Sequence, residues 1–188
     1  MPNRLISRCS WLILSCLAVS SLPTLADAAP PTLRDVTPRG ITLGQSATLR
    51  FVGANLQQNP RLISDRLSLT NQKVESSTAN ECVISLTLPV NTPAGIYGVR
   101  IATDEGISAP VLVGVDKLPQ AMLHDRSEIG VPIAQTGNLT GSTIIEAPFH
   151  GSKDQRIVID VEAQRLGSKL NPILRLVDER GTQIAWSD

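Results

Sequence analysis

Aromatic side chains are scarce in this 188-residue chain, which has two tryptophans, two phenylalanines and one tyrosine. Sites that bind sugars usually stack the sugar ring on an exposed aromatic face. A dedicated carbohydrate platform is therefore disfavoured, with Tyr97 and Trp186 as the candidates for such stacking. Helical periodicity is also missing beyond the first 28 residues, and this absence disfavours a helical protein.

Basic clusters are absent as well. Acidic and basic residues balance, with 17 of each. Residues 1–28 contain Arg4, Arg8 and Asp27, so the rest of the chain carries a net charge of −1. Nucleic acids and anionic membranes attract proteins through basic runs or stripes. The sequence therefore indicates neither as a partner.

The N-terminus has the pattern of an export signal. Arg4 and Arg8 precede an apolar stretch, 11–25, and the small residues Ala26 and Ala28 follow it. This spacing predicts signal-peptidase cleavage after Ala28, and the stretch is too short and broken for a membrane span. Cys16 permits an alternative, a lipoprotein signal, which the good cleavage site further along disfavours. We expect an exported protein in the periplasm, on the cell surface or outside the cell.

Cysteine is almost absent from the mature chain. Cys9 and Cys16 lie in the signal segment, so only Cys82 remains and no intrachain disulfide is possible. Cys82, Ile84, Leu86 and Leu88 recur at a period of two, as on one face of a strand. We therefore expect a small buried side chain rather than a reactive thiol.

Residues for catalysis or metal binding are few. His124 and His150 are the only histidines, and neither has a nucleophile elbow or a zinc-ligand spacing near it. The sequence therefore predicts no catalytic residues, no cofactor and no enzyme. Calcium is the one metal worth considering, since Asp178, Glu179 and Asp188 flank a predicted hairpin. Calcium takes six to eight oxygen ligands, so solvated turn residues are the better interpretation of these three.

Short β-prone runs recur about every ten residues, which is typical of an all-β sandwich. Turn sequences rich in Gly, Asn and Pro separate them. After a predicted linker, 116–137, a second β pattern begins, and the turn at 178–181 predicts a hairpin. The predicted strands are 41–52, 61–69, 80–88, 95–103 and 107–115, followed by 143–145, 156–161, 173–177 and 182–186.

Residues 29–115 resemble an IPT/TIG immunoglobulin-like domain. The resemblance rests on the runs 31–40, 44–56 and 93–106, which include Val52-Gly53-Ala54-Asn55-Leu56. It implies an immunoglobulin-like β-sandwich, a fold that serves in structural and binding roles.

Residues 138–188 resemble the bacterial pre-peptidase C-terminal (PPC) domain, a jelly-roll-like sandwich often attached to secreted peptidases. The matching runs are 155–168 and 170–188. Asp154 departs from the family's usual Gly, and the acidic entry to the strand near 143–146 is missing. The family's strands after its terminal Ser-Asp are also missing, so we expect this module to be incomplete and unstable alone. The pair of modules resembles large secreted proteins of planctomycete-type bacteria.

Three functional hypotheses arise from these patterns. The first is a non-catalytic structural or interaction module of an exported or cell-surface bacterial protein, whose partners are other domains of a larger protein or cell-surface proteins. The second is the accessory front part of a secreted peptidase or other hydrolase. The third is a module that binds cell wall or carbohydrate.

Overall fold

The computed structural model describes residues 29–187, and in them the chain is almost entirely β. It contains thirteen strands and one short 3-10 helix at Gln164–Leu166. The all-β fold class is therefore confirmed. In chain order the strands are β1 Thr32–Thr37, β2 Gly40–Thr42, β3 Ser46–Ala54, β4 Arg61–Ile63, β5 Thr70–Ser77, β6 Glu81–Thr87, β7 Gly95–Thr103, β8 Gly106–Ile107, β9 Val111–Asp116, β10 Gln120–Met122, β11 Ala134–Thr136, β12 Leu174–Val177 and β13 Gln183–Ser187.

The first nine strands form two sheets. One has the antiparallel order β1-β3-β6-β5, and the other has the order β2-β9-β7-β4, in which β2 runs parallel to β9. Strand β8 extends the second sheet along β7. This division of consecutive strands between two packed sheets is the immunoglobulin-like sandwich arrangement.

A single core fills the space between the sheets. It contains sixteen buried apolar side chains, all between Val36 and Val115. In β6, Cys82, Ile84 and Leu86 are buried while the residues between them are only partly covered, as their alternation predicts. Each fully buried large apolar side chain contributes about 1.5–3 kcal/mol relative to an exposed one. Packing therefore stabilises this region without a disulfide.

The strand predictions for this region hold best at its centre. The predictions 80–88 and 95–103 match β6 and β7. The prediction 41–52 is interrupted by a turn at Leu43–Gln45, and only the first three residues of 61–69 form a strand. Sequence patterns miss β1 and β5, which are both edge strands with mostly polar side chains. Most residues of β5 are exposed, and strands of this kind lack a clear apolar alternation.

Residues 117–187 are built differently. The predicted linker contains β10 and β11, which form a short parallel pair. The predicted hairpin is confirmed as β12 and β13, with Gly181 at a positive φ of 80°. The predicted strands at 143–145 and 156–161 are wrong, because neither segment is paired in the structure. No side chain among residues 117–187 is fully buried.

Within residues 29–187, none of the helical structure has the length and hydropathy that a membrane-spanning helix needs.

Candidate interaction surfaces

The two histidines lie in different surroundings. His150 Nε2 lies 3.3 Å from Glu128 Oε1, with both side chains largely exposed. The pair lines an open hollow of about 340 Å³ that also contains Ser152. His124 lies outside this hollow and is exposed. Because both side chains are exposed, the contact is a surface contact between two loops.

The calcium candidates stay a prediction. Asp178 Oδ1 accepts hydrogen bonds from the backbone N–H groups of Arg180 at 2.9 Å and Thr182 at 2.8 Å. This carboxylate therefore shapes the hairpin turn, as the turn interpretation expects, and Glu179 is exposed. In residues 29–187 no group of three or more His, Cys, Asp or Glu side chains converges. Asp188 and the predicted cleavage residues Ala26 and Ala28 lie outside the described residues.

Cys82 is the only thiol in the described part of the chain, and it is buried. Burial raises the pKa of the Cys82 thiol, because the core disfavours the thiolate, while a hydrogen bond with Ser77 acts in the opposite direction. A thiol with a raised pKa is a poor nucleophile at neutral pH. The structure thus confirms the expectation of a buried cysteine.

The β2 edge of the sandwich holds the segment that comes after the sandwich. Beyond its ladder with β9, the Thr42 hydroxyl donates to the Leu118 carbonyl at 2.9 Å. A Cβ atom on Gly40 would overlap the side chain of Gln120, so these two residues are in close contact. We call the contact of β2 and the adjacent Arg39 with residues 118–136 the β2 junction.

Arg39 connects the β2 junction to residues far along the chain. Its backbone N–H donates to Thr136 Oγ1 at 3.2 Å, and its Nη1 donates to the Leu166 carbonyl at 2.6 Å. Its Nη2 lies 2.7 Å from Asp35 Oδ1, and the Arg39 side chain is 27% exposed. The ion pair with Asp35 orients the guanidinium. No sequence signal indicates this role, because the partners lie 97 and 127 positions away.

Gln72 covers the free edge of β4. Its Oε1 accepts the Leu62 N–H at 2.6 Å, and its Nε2 donates to the Leu62 carbonyl at 3.0 Å. The side-chain amide thus replaces a neighbouring strand at one residue of the second sheet. Edge strands expose backbone groups that pair readily with other chains, and here one such pair is already satisfied.

Trp186 is the exposed aromatic residue of the described region. It lies on β13 opposite Arg175, and 62% of its surface is exposed. Ile184 and Val177 of the same hairpin are 65% and 50% exposed. Tyr97, the other candidate, is partly buried, and its hydroxyl donates to the Pro93 carbonyl at 2.7 Å. Of these two candidates, Trp186 is therefore the more accessible to a ligand.

Comparisons with known proteins give partial likenesses only. No family model matches the chain, and no curated protein matches it significantly. A Bacteroides ovatus mixed-linkage glucan utilization locus protein, SGBP-B, in complex with a heptasaccharide is 19% identical over 56% of this chain, with a TM-score of 0.37. SGBP-B from a complex xyloglucan utilization locus of Bacteroides uniformis is 23% identical over 45%, with a TM-score of 0.28.

A third solved structure is the BIgI domain of the beta protein from S. agalactiae bound to CEACAM1. It is 15% identical over 44% of this chain and 91% of that domain, with a TM-score of 0.27. This chain spans only 27% and 22% of the two SGBP-B chains. Because all three overlaps are partial, the immunoglobulin-like arrangement described above rests on the strand order of this chain itself.

Proposed function

We propose that this protein is a non-catalytic structural and interaction module of an exported protein. Its sandwich has a complete core of its own, and it holds residues 118–136 and Leu166 through bonds that lie outside that core. The contact made by Arg39 carries the proposal, since one residue on the sandwich surface binds residues 97 and 127 positions away. The role of the sandwich is to mount and orient the second region of the chain.

We also propose the finer assignment of the two regions. Residues 29–115 are an IPT/TIG-like module, residues 116–137 connect it to the next, and residues 138–188 are a PPC-like module. The immunoglobulin-like order of β1–β9 supports the first assignment. The hairpin of β12 and β13 supports the second. The signal-like sequence before Ala29 supports export of both modules.

The mounting role can be tested by hydrogen exchange on the mature chain. Arg39→Ala removes the bond to Leu166 and the pair with Asp35, each of about 1 kcal/mol. Exchange of amides near Leu166 should rise several-fold, while the core amides of β6 keep their protection and the backbone bond to Thr136 stays in place. Arg34→Ala is the matched control, because Arg34 is an exposed arginine of the same strand region. Unchanged exchange in Arg39→Ala would show that the junction does not depend on this residue.

A non-catalytic role also predicts that the mature chain has no peptidase activity of its own. The measurement is cleavage of a general fluorescent protein substrate by the purified chain. Activity that is lost on His150→Ala, with the fold intact, would overturn the proposal, since His150 lies next to Ser152 and Glu128.

Glycan binding is a second candidate, and the exposure of Trp186 favours it. An exposed indole next to Arg175 can stack on a sugar ring. Retention on insoluble glycans should then fall strongly in Trp186→Ala and stay unchanged in Tyr97→Phe, which keeps the half-buried ring. Equal retention of the chain and Trp186→Ala would remove this candidate.

A further inference from the structure

The outer face of the second sheet contains a small hollow that none of the roles above uses. Its volume is about 140 Å³, and it opens to solvent. Val99 and Ile101 of β7 point into the core, so Gly98 and Arg100 between them lie on the opposite face. The residues that line the hollow are Ser64, Asp65, Arg66, Gly98, Arg100, Pro110 and Leu112.

Gly98 forms the floor of the hollow. A Cβ atom there would lie 3.4 Å from Pro110 Cβ, so any larger side chain at this position would begin to fill the space. Leu112, which is opposite Gly98 on β9, and Pro110 form an apolar wall. Ser64 is fixed at the rim, because its hydroxyl donates to the Gly98 carbonyl at 2.8 Å. The donated proton leaves the Ser64 oxygen as an acceptor only.

The two arginines of the hollow take part in none of the ion pairs found among residues 29–187. Arg39, Arg50 and Arg165 each form an ion pair with a carboxylate. In the part of the chain that the structure describes, no carboxylate oxygen lies within 4.0 Å of Arg66 or Arg100. Arg100 is half-buried, and its Nη1 makes one long contact of 3.4 Å with the Ser108 carbonyl.

A guanidinium group has five N–H donors in a planar fork that matches a carboxylate. Most donors of Arg100 are therefore available at the edge of a small cavity. Together with Arg66 and Asp65, the lining carries a net charge of +1, which fits a singly charged group. A dianion such as phosphate would meet stronger repulsion from Asp65 than a carboxylate, which carries a single charge. No aromatic ring lines the hollow, so it lacks the stacking surface that a sugar needs.

We infer that this hollow, here called the Arg100 site, binds the carboxylate of an Asp or Glu side chain of a partner protein. Arg100 and Arg66 hold the carboxylate, while Leu112 and Pro110 contact the methylene groups that carry it. The inference rests on the proposed interaction role and adds the chemistry of one contact. It assigns the outer face of β7 and β9 to partner recognition, whereas the β2 edge holds the chain's own second region.

The site can be tested on the ¹⁵N-labelled mature chain by NMR titration with the acetylated and amidated peptide Gly-Glu-Gly. The same peptide with Gln in place of Glu is the uncharged control. We expect saturable shifts of the Gly98 amide and the Arg100 side-chain Nε–H with the Glu peptide, at millimolar concentrations typical of a single contact. The Gln peptide should bind at least about tenfold more weakly.

Arg100→Lys is the decisive variant, because it keeps the charge and loses the planar fork. Its affinity for the Glu peptide should fall about tenfold, and that of Arg66→Ala should fall about threefold. Arg175→Lys, on the β12–β13 hairpin, is the matched control and should bind as the parent does. A well-dispersed spectrum of each variant verifies that it folds.

Three results would overturn the Arg100 site. They are equal shifts with the Glu and Gln peptides, an unchanged affinity in Arg100→Lys, or saturable binding of galacturonate with none of the peptide. The same spectra report the β2 junction through the amides of Gly40 and Gln120. If one of the three results is found while the chemical shifts of these two amides show an intact junction, the Arg100 site is wrong and the mounting role stands.

Discussion

Residues 29–116 have a core of buried apolar side chains, whereas no side chain of residues 117–187 is fully buried. The first region has sixteen apolar side chains in one core. In the second, Ile144, Val158 and Ile173 are 77%, 79% and 67% exposed. Both regions have β-branched residues in alternating patterns. The difference shows that such a pattern produces a core only where a second sheet packs against the apolar face.

The comparison is sharpest between β6 and the segment 156–161. Both have apolar residues at a period of two, and both are predicted strands. Strand β6 has a neighbour on each side, β3 and β5, and it faces the second sheet. The segment 156–161 has no strand paired with it in the described residues, and Val158, Ile159 and Val161 stay exposed. A strand's stability comes from its neighbours more than from its own sequence.

The largest expected effect is therefore on the separated regions. Residues 29–116 alone should unfold cooperatively in urea, because their core is complete. Residues 138–188 alone should show no cooperative transition, because a single two-stranded hairpin is marginal in water. Circular dichroism during urea titration measures both. A sharp transition for the shorter piece would contradict the comparison.

Core truncation gives the next largest effect. Phe51 is fully buried in β3, so Phe51→Ala should lower the free energy of unfolding by about 3–5 kcal/mol through lost burial and a cavity. Trp186→Ala is the matched control, an aromatic truncation on an exposed hairpin, and should change the free energy by about 0.5 kcal/mol or less. Similar losses at the two positions would mean that the hairpin has a buried packing partner.

Sequence patterns were sufficient for the centre of the sandwich. The apolar alternation predicted β6 and β7 with nearly correct bounds, and it predicted that Cys82 is buried. It failed for β5, whose exposed face carries Lys73 and Glu75 in an ion pair. It also failed for 156–161, where the local pattern is present but no neighbour is. Local periodicity shows that a segment is able to form a strand, whereas its pairing with another strand depends on residues far along the chain.

The surfaces were less predictable than the core. Arg39, Gln72 and Arg100 had no recognisable motif, since each depends on a spatial neighbour. Arg39 meets Leu166, 127 positions away, and Gln72 meets Leu62 across a loop. The turn role of Asp178 was the exception, because its partners lie within four residues. The sequence therefore predicted the turn at Asp178 but not the long-range contacts.

Gln72→Ala should have a moderate effect within the stable region. It leaves the Leu62 N–H and carbonyl without their side-chain partner, which costs about 1 kcal/mol where water can reach them partly. It also frees the β4 edge, so self-association measured by light scattering should rise. Gln57→Ala, at an exposed loop residue, should change neither quantity. If Gln57→Ala self-associates to the same extent, the free β4 edge is not the cause of the association.

The smallest effect concerns alkaline pH and uses Cys82 as a reporter of the core. Burial raises the pKa of this thiol in the folded state, so the unfolded chain loses its proton first, near the ordinary value of about 8.5. Stability from this group is full below that value and falls as pH rises towards the folded pKa. The urea midpoint should therefore fall more between pH 7 and pH 9.5 in the parent than in Cys82→Ala. The same difference should appear in residues 29–116 alone, because Cys82 packs only within that region's core. If the pH dependence of the urea midpoint changes when residues 117–188 are removed, the second region contributes to the burial of Cys82. The contrast between the two regions would then be wrong.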